Sequence, residues 1–306
     1  MSSNSQRIYV FGDSLSDTGN VFNFTSGQFP NEPYASGRFS NGDVWIDYLT
    51  DELDKKVAPI TDPFSGSDGL NFAIGGATSG DDNIGIVSLG LKQQVDTFEF
   101  LSSFQNPEKL SDDLFSLWTG ANDYFSFIKD DPNTTDVVET NLSVIDAESV
   151  VTEVVNTDIG GAVRDIIDAG GETILLFDLP DLDRTPLAQK LTEQDRHILG
   201  ELTGKHNERL SGLVGEIEAS NPSVNIIEVG INDLLDRIIE NPGNFGLTNV
   251  TDNFTGIDIV TQMNQPSAMG NPDRFLFWDS IHPTTATHEL IADLVIQDLN
   301  SEGLIA

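Results

Sequence analysis

The chain has 306 residues, with 38% hydrophobic residues and no cysteine. That length suits one large α/β domain, and no composition break suggests a second, so residues 1–306 are expected to form a single domain. Fifty acidic against 15 basic side chains give a formal charge of −35, which repels nucleic acid and anionic headgroups and argues against both as partners. The absence of cysteine excludes disulfides and thiol chemistry.

The start, MSSNSQRIYVFGDS, has neither the apolar core nor the cleavage pattern of a signal peptide. No apolar run approaches the ~18 residues that span a membrane, so stable membrane insertion is not expected. The chain reads as soluble. Its compartment stays open, secretion or a periplasmic location with the leader removed included, and so does its oligomeric state.

Taken in chain order, short β-rich runs alternate with helical patterning. Strands are expected at Arg7–Phe11, Leu70–Ile74, Asp113–Trp118, Thr173–Phe177 and Val224–Val229, with a short sixth at Phe275–Trp278. Helices are expected at Val44–Leu53, Leu89–Phe104, Ser143–Ala169, Glu193–Ala219 and Thr285–Leu299. Pro283 stands just ahead of the last, where proline is tolerated. Two long stretches rich in Gly, Asn, Asp, Pro and Ser, Thr25–Asp43 and Asn241–Arg274, read as loops. Alternating β and α predicts a mostly parallel sheet with helices on both faces. Sites in such sheets form beyond the strand C-termini.

Four segments carry candidate chemistry. FGDSLSDTGN (Phe11–Asn20) begins where the first strand ends. Gly12 permits a tight turn, and Ser14 follows at the expected start of a helix, where free N–H groups favour negative charge. A plain serine N-cap is the alternative reading. The chain contains no G-x-S-x-G nucleophile elbow.

WDSIHPTTATHEL (Trp278–Leu290) places Asp279 and His282 on one short loop. The carboxylate can hold Nδ1–H of the imidazole and leave Nε2 facing a hydroxyl. A turn-capping aspartate and a packed histidine are the alternatives. His288 is too far from His282 for a helical metal pair and reads as structural.

NFAIGGATSG (Asn71–Gly80) and TGANDYF (Thr119–Phe125) each follow an expected strand. Acyl transfer needs donors aimed at a developing oxyanion. The backbone of Gly75 or Gly76 and the amide of Asn122 suit that role; turn glycines and a helix-capping Asn-Asp pair are the alternatives. Phe22, Phe24 and Phe29 are candidates for an acyl pocket or for plain packing.

Jointly these segments resemble the GDSL esterases and lipases of the SGNH hydrolase superfamily, bacterial type. FGDSLSDTGN matches the serine block and Gly76 the glycine block, with Gly75 as the one-residue alternative. Gly120-Ala121-Asn122-Asp123 and Asp279-Ser280-Ile281-His282 match the other two. GRFSNGDVWIDYL (Gly37–Leu49) is similar to a segment of plant and bacterial members. The likeness runs from about Arg7 to Leu299.

The resemblance implies a flavodoxin-like three-layer α/β/α sandwich with about five parallel strands. It implies a carboxylic ester hydrolase acting on a small-molecule or lipid ester. Ser14 would be nucleophile, His282 base and Asp279 its orienting carboxylate. Backbone N–H groups of Ser14 and Gly76 and the amide of Asn122 would form the oxyanion hole. No cofactor and no metal is needed. Asp13, Asp17 and Asp123 read as loop-fixing groups. A calcium-stabilised binding protein and a metal-dependent phosphodiesterase are the rival classes.

Overall fold

The computed structural model describes residues 6–104, 110–130, 138–142, 145–258 and 267–305. Parts of two expected elements therefore lie outside the described residues: the helix start at 143–144, and 259–266 of the second loop.

The central sheet is built from β1 (Ile8–Gly12), β2 (Ala58–Pro59), β3 (Gly69–Asn71), β4 (Leu114–Trp118), β7 (Thr173–Phe177) and β8 (Asn225–Val229), in the order β2-β3-β1-β4-β7-β8. All its pairings are parallel. Without the two-residue edge strand β2, the order is the 2-1-3-4-5 of a flavodoxin-like sheet. The central strands β1 and β4 are buried at every position. Their near-continuous apolar runs match a sheet covered on both faces. A hairpin of β5 (Ile128–Asp130) and β6 (Val138–Thr140) lies apart from the sheet.

The helices are α1 (Asn20–Phe24), α2 (Trp45–Glu52), α3 (Leu91–Ser102), α4 (Ala121–Phe125), α5 (Ala147–Val151), α6 (Gly160–Asp168), α7 (Glu193–Ser220), α8 (Ile231–Glu240) and α9 (Thr285–Ser301). A π-helical segment, Thr152–Ile159, joins α5 to α6 into the one long helix the patterning predicts. α2 packs on α9, α3 packs on α6, and the long helix packs on α7. One apolar cluster runs from Ile8 to Leu299, in which Phe177 stacks on Trp118 and Trp45 tilts against Phe177.

Two expectations need correction, and one helix was not expected. The run at Phe275–Trp278 does not extend the main sheet: β10 (Phe275–Phe277) pairs in parallel with β9 (Asn249–Asn253). β9 also gives the expected loop Asn241–Arg274 structure of its own. The sixth strand of the main sheet is instead β2, too short to leave a pattern. Finally, α8 went unread although Ile231, Leu234, Leu235 and Ile238 mark a buried helical face.

The chain reverses its direction of travel across the sheet at β1, between β3 and β4. The crevice beyond the C-termini of β1 and β4 is the position where such sheets bind ligands. Ser14 follows β1 there, and Asn122 follows β4.

Candidate active site

Gly12 ends β1 with φ +145°, and a Cβ there would stand 2.2 Å from the carbonyl oxygen of Trp118. Only glycine lets the two central strand ends approach so closely. The buried amide of Gln94 clamps the turn, accepting from Gly12 N–H at 2.9 Å and donating to Gly12 C=O at 2.8 Å. Ser14 then lies on a tight turn closed by Ser16 and Asp17 N–H to Asp13 C=O. It is not the first residue of a helix, as expected: α1 begins only at Asn20.

The turn is held by buried side chains. Asp17 accepts backbone N–H bonds from Gly19, Asn20, Val21 and Gly75 at 2.6–3.2 Å. Asn71 donates to Ser16 C=O and to the Thr18 hydroxyl. Asp13 accepts from Leu15 N–H at 3.0 Å. Burial pushes the Asp13 carboxyl up to about 6, while that N–H bond and the nearby His282 pull it back. These contacts give Asp13 and Asp17 the loop-fixing place expected for them.

Ser14, His282 and Asp279 form one hydrogen-bonded chain. Ser14 Oγ and His282 Nε2 are 2.8 Å apart, and His282 Nδ1 is 2.7 Å from Asp279 Oδ2. All three residues are buried. Asp279 Oδ1 accepts the backbone N–H groups of Ile281 and His282, so D-x-x-H folds as a tight turn whose carboxylate braces its own loop. Trp278 N–H to His282 C=O closes that turn.

A fourth side chain enters that the sequence did not single out. Tyr34 donates its hydroxyl to Asp279 Oδ2 at 2.6 Å. Burial, then the Asp279 charge, push the phenol far above its usual range, so it remains a donor. Phe39 lies against the His282 ring at 5.4 Å.

The segment Gly37–Leu49 braces the histidine loop. Ser40 donates to Pro283 C=O, and Asn41 Oδ1 accepts from Thr285 N–H. Lys190 and Ser280 reach the two oxygens of buried Asp258, which ties the neighbouring chain to the same loop.

Gly76 has φ +83°, and a Cβ there would stand 2.6 Å from Asn83 Oδ1 and 2.7 Å from Gly85 N. Gly75 has its N–H committed to Asp17 at 2.9 Å. Asn122 anchors its amide on Ala77 C=O at 2.9 Å, with Asp13 Oδ2 farther away at 3.4 Å. Ser14, Gly75, Gly76, Asn122 and His282 all line one cleft of about 750 Å³.

Asp123 points away and accepts both the N–H and the hydroxyl of Ser79. Burial pushes its carboxyl up to about 7. Of the phenylalanine candidates, Phe29 lines the cleft. Phe22 packs over Gly27, and Phe24 lines a separate groove with Ile60 and Thr61.

Two buried histidines stand outside the chain of three. His288 Nδ1 accepts from Trp45 N–H, and burial pulls it down to about 3. That neutral packed state matches its structural reading. His206, not singled out by the sequence, pairs with Tyr124 at 2.9 Å behind α4 and is likewise held neutral. Among the described residues no group of three or more His, Asp or Glu could hold a metal ion. No described helix is long and apolar enough to cross a membrane.

Comparison with known proteins agrees with this geometry. Residues 8–295 match the family model of GDSL-like lipase/acylhydrolases. Phosphatidylcholine-sterol acyltransferase of Aeromonas hydrophila is 30% identical, over 94% of this chain and 88% of its own. Thermolabile hemolysin of Vibrio parahaemolyticus is 25% identical over 96% of this chain, which spans only 64% of the hemolysin's length. A GDSL esterase/lipase of Arabidopsis thaliana is 28% identical, over 96% of this chain and 84% of its own. The chain therefore belongs to the GDSL-like lipase/acylhydrolase family, whose reaction is the serine-dependent hydrolysis of acyl esters.

Proposed function

We propose that the chain, acting as a single catalytic domain, hydrolyses carboxylic esters through an acyl-enzyme on Ser14. The observation that carries this reading is the continuous path from Ser14 Oγ through His282 to Asp279 Oδ2, with contacts of 2.8 and 2.7 Å. A capping serine has no need of an imidazole so oriented.

His282 Nε2 takes the Ser14 proton as Oγ attacks the ester carbonyl. Asp279 keeps Nδ1–H directed and stabilises the imidazolium that forms. The oxyanion is held by the Ser14 and Gly76 N–H groups and the Asn122 amide. Gly76 is preferred over Gly75, whose N–H is engaged by Asp17. His282 then returns its proton to the departing alcohol. Water then attacks the acyl carbonyl while His282 takes one of its protons, and the imidazolium returns that proton to Ser14 Oγ as the acid leaves. No step calls on a metal or organic cofactor.

The substrate is a small-molecule or lipid ester. Its binding faces a surface of net charge −35, which disfavours nucleic acid. The test is hydrolysis of p-nitrophenyl acetate and butyrate by the wild type and by Ser14→Ala. The wild type should turn both over, and the variant should retain its melting temperature while losing at least about 10⁴-fold in kcat. A folded variant with wild-type turnover would remove Ser14 from the reaction.

A further inference from the structure

Two cavities meet at Ser14, Asn122 and His282, and they differ in kind. The broad cleft of about 750 Å³ carries polar groups, among them Asn31, Glu32, Ser126 and Asp258, and the two candidate oxyanion glycines. The second is a slot with about 50 Å³ of free volume, running under Leu179 and Leu182 and along α8.

The slot wall on α8 is a ladder of Ile231, Leu235 and Ile239. Residues four apart stack on one helix face, each step rising about 6 Å. Ile231 is fully buried, Leu235 is 6% exposed and Ile239 is half-buried, so the ladder climbs from the core to the surface. Trp118 and Ala121 of the β4–α4 junction also line the slot, beside Asn122.

We propose that this slot is the acyl subsite and that it selects short straight acyl groups, while the broad cleft takes the alcohol. The assignment rests on ester hydrolysis through Ser14 as proposed above. An ester carbonyl on Ser14 has two substituents and here meets two cavities. Asp13, Asp181, Arg184, Thr185 and Asp236 also border the slot, yet the surface it presents is almost wholly apolar, so a polar alcohol entering it would lose its water for few partners, whereas an alkyl chain gains by the same burial. Each buried methylene is worth about fourfold in kcat/KM.

Volume sets the length. A water-sized group needs roughly 10–15 Å³ of such space, so 50 Å³ holds roughly three to five chain atoms, and a butyryl group places three beyond its carbonyl carbon. The expected optimum is therefore butyrate. Among its described residues, the expected loop Asn241–Arg274 contributes Ile257 and Asp258 to the broad cleft and none to the slot. It would thus act on alcohol choice and not on acyl length.

The experiment measures kcat/KM for p-nitrophenyl esters from acetate to palmitate, and for butyrate esters of alcohols of increasing size. Wild type, Leu235→Ala, Leu235→Phe and Ile239→Ala are compared at a temperature where each is folded. Wild type should peak at butyrate and fall at least about tenfold by octanoate. Leu235→Ala should move the peak to hexanoate or octanoate, and Leu235→Phe should move it to acetate, with the alcohol series unchanged in rank. Ile239→Ala, at a half-buried position, serves if Leu235→Ala does not fold.

A wild-type optimum at dodecanoate or longer overturns the proposal. So does a variant that leaves the acyl profile fixed, or one that re-ranks the alcohol series instead, which would give the slot to the alcohol. Wild-type protein that hydrolyses none of the esters would bring down the ester-hydrolase reading and this one with it. Active protein with an unmoved profile would bring down the slot assignment alone.

Discussion

The phenol of Tyr34 donates to Asp279 Oδ2 at 2.6 Å, and His282 Nδ1 contacts the same oxygen at 2.7 Å. Tyr34 also lines the cleft, so one residue joins the substrate wall to the histidine's carboxylate. The phenol draws on the negative charge that steadies the imidazolium, and it fixes the carboxylate in place. Tyr34→Phe should therefore lower kcat by about tenfold through looser positioning. KM should change little. Melting curves and steady-state kinetics separate stability from kcat. A stability loss with kcat unchanged would make Tyr34 a packing residue only.

Asn122→Ala should reduce kcat by about 10²–10³ with a smaller effect on KM, because its amide acts on charge that develops only in the transition state. Ala77 C=O already holds that amide in place at 2.9 Å. Steady-state kinetics on p-nitrophenyl butyrate separates the two constants. A change confined to KM would assign Asn122 to substrate binding.

Stability should fall as pH rises. Burial lifts Asp13 to about 6 and Asp123 and Asp178 to about 7, against 3.8 when exposed. A carboxyl raised in the folded state keeps its proton there after the unfolded chain has lost it. Its contribution is complete below about pH 4 and is lost as pH climbs through 6 to 7. Repulsion among the surface carboxylates acts in the same direction. The melting temperature should be higher at pH 5 than at pH 8 by on the order of 5 °C. Asp123→Asn can still bond Ser79 and should narrow that gap by raising the pH 8 value. Scanning calorimetry at the two pH values decides it, and a melting temperature that rises with pH would contradict the account.

Chelation should leave kcat unchanged, because the proton path needs only side chains. A dialysed sample with excess EDTA, assayed well below its melting temperature, provides the check. A reversible loss of kcat in folded protein would favour a metal-dependent reaction.

Much of this arrangement was legible in the sequence for identifiable reasons. β1, β4 and β7 are largely apolar runs buried at nearly every position, and β1 and β4 each lead directly into a motif. Ser14, Asn122 and the Asp279–His282 pair each sit just past a strand, where parallel sheets collect their sites. The two-residue β2 was too short to read. α8 carried a readable period in INDLLDRIIE, and it fills the short interval between the expected strand Val224–Val229 and the expected loop from Asn241. Tyr34 was beyond reach because its partner is 245 positions away and its own loop has no periodicity. The division of the site into a slot and a cleft was equally hidden. Its walls come from the ends of several elements, and only packing shows which phenylalanines turn away.

The most direct test of the central claim is covalent. The protein should be treated with a fluorophosphonate probe, digested and mapped by mass spectrometry, in parallel with Ser14→Ala and His282→Ala. One stoichiometric adduct is expected, on the peptide carrying Ser14 within FGDSLSD. Labelling should be absent in Ser14→Ala and slower by at least about 10³-fold in His282→Ala, since Ser14 then lacks its base. An adduct on another residue, or undiminished labelling of folded Ser14→Ala, would contradict it.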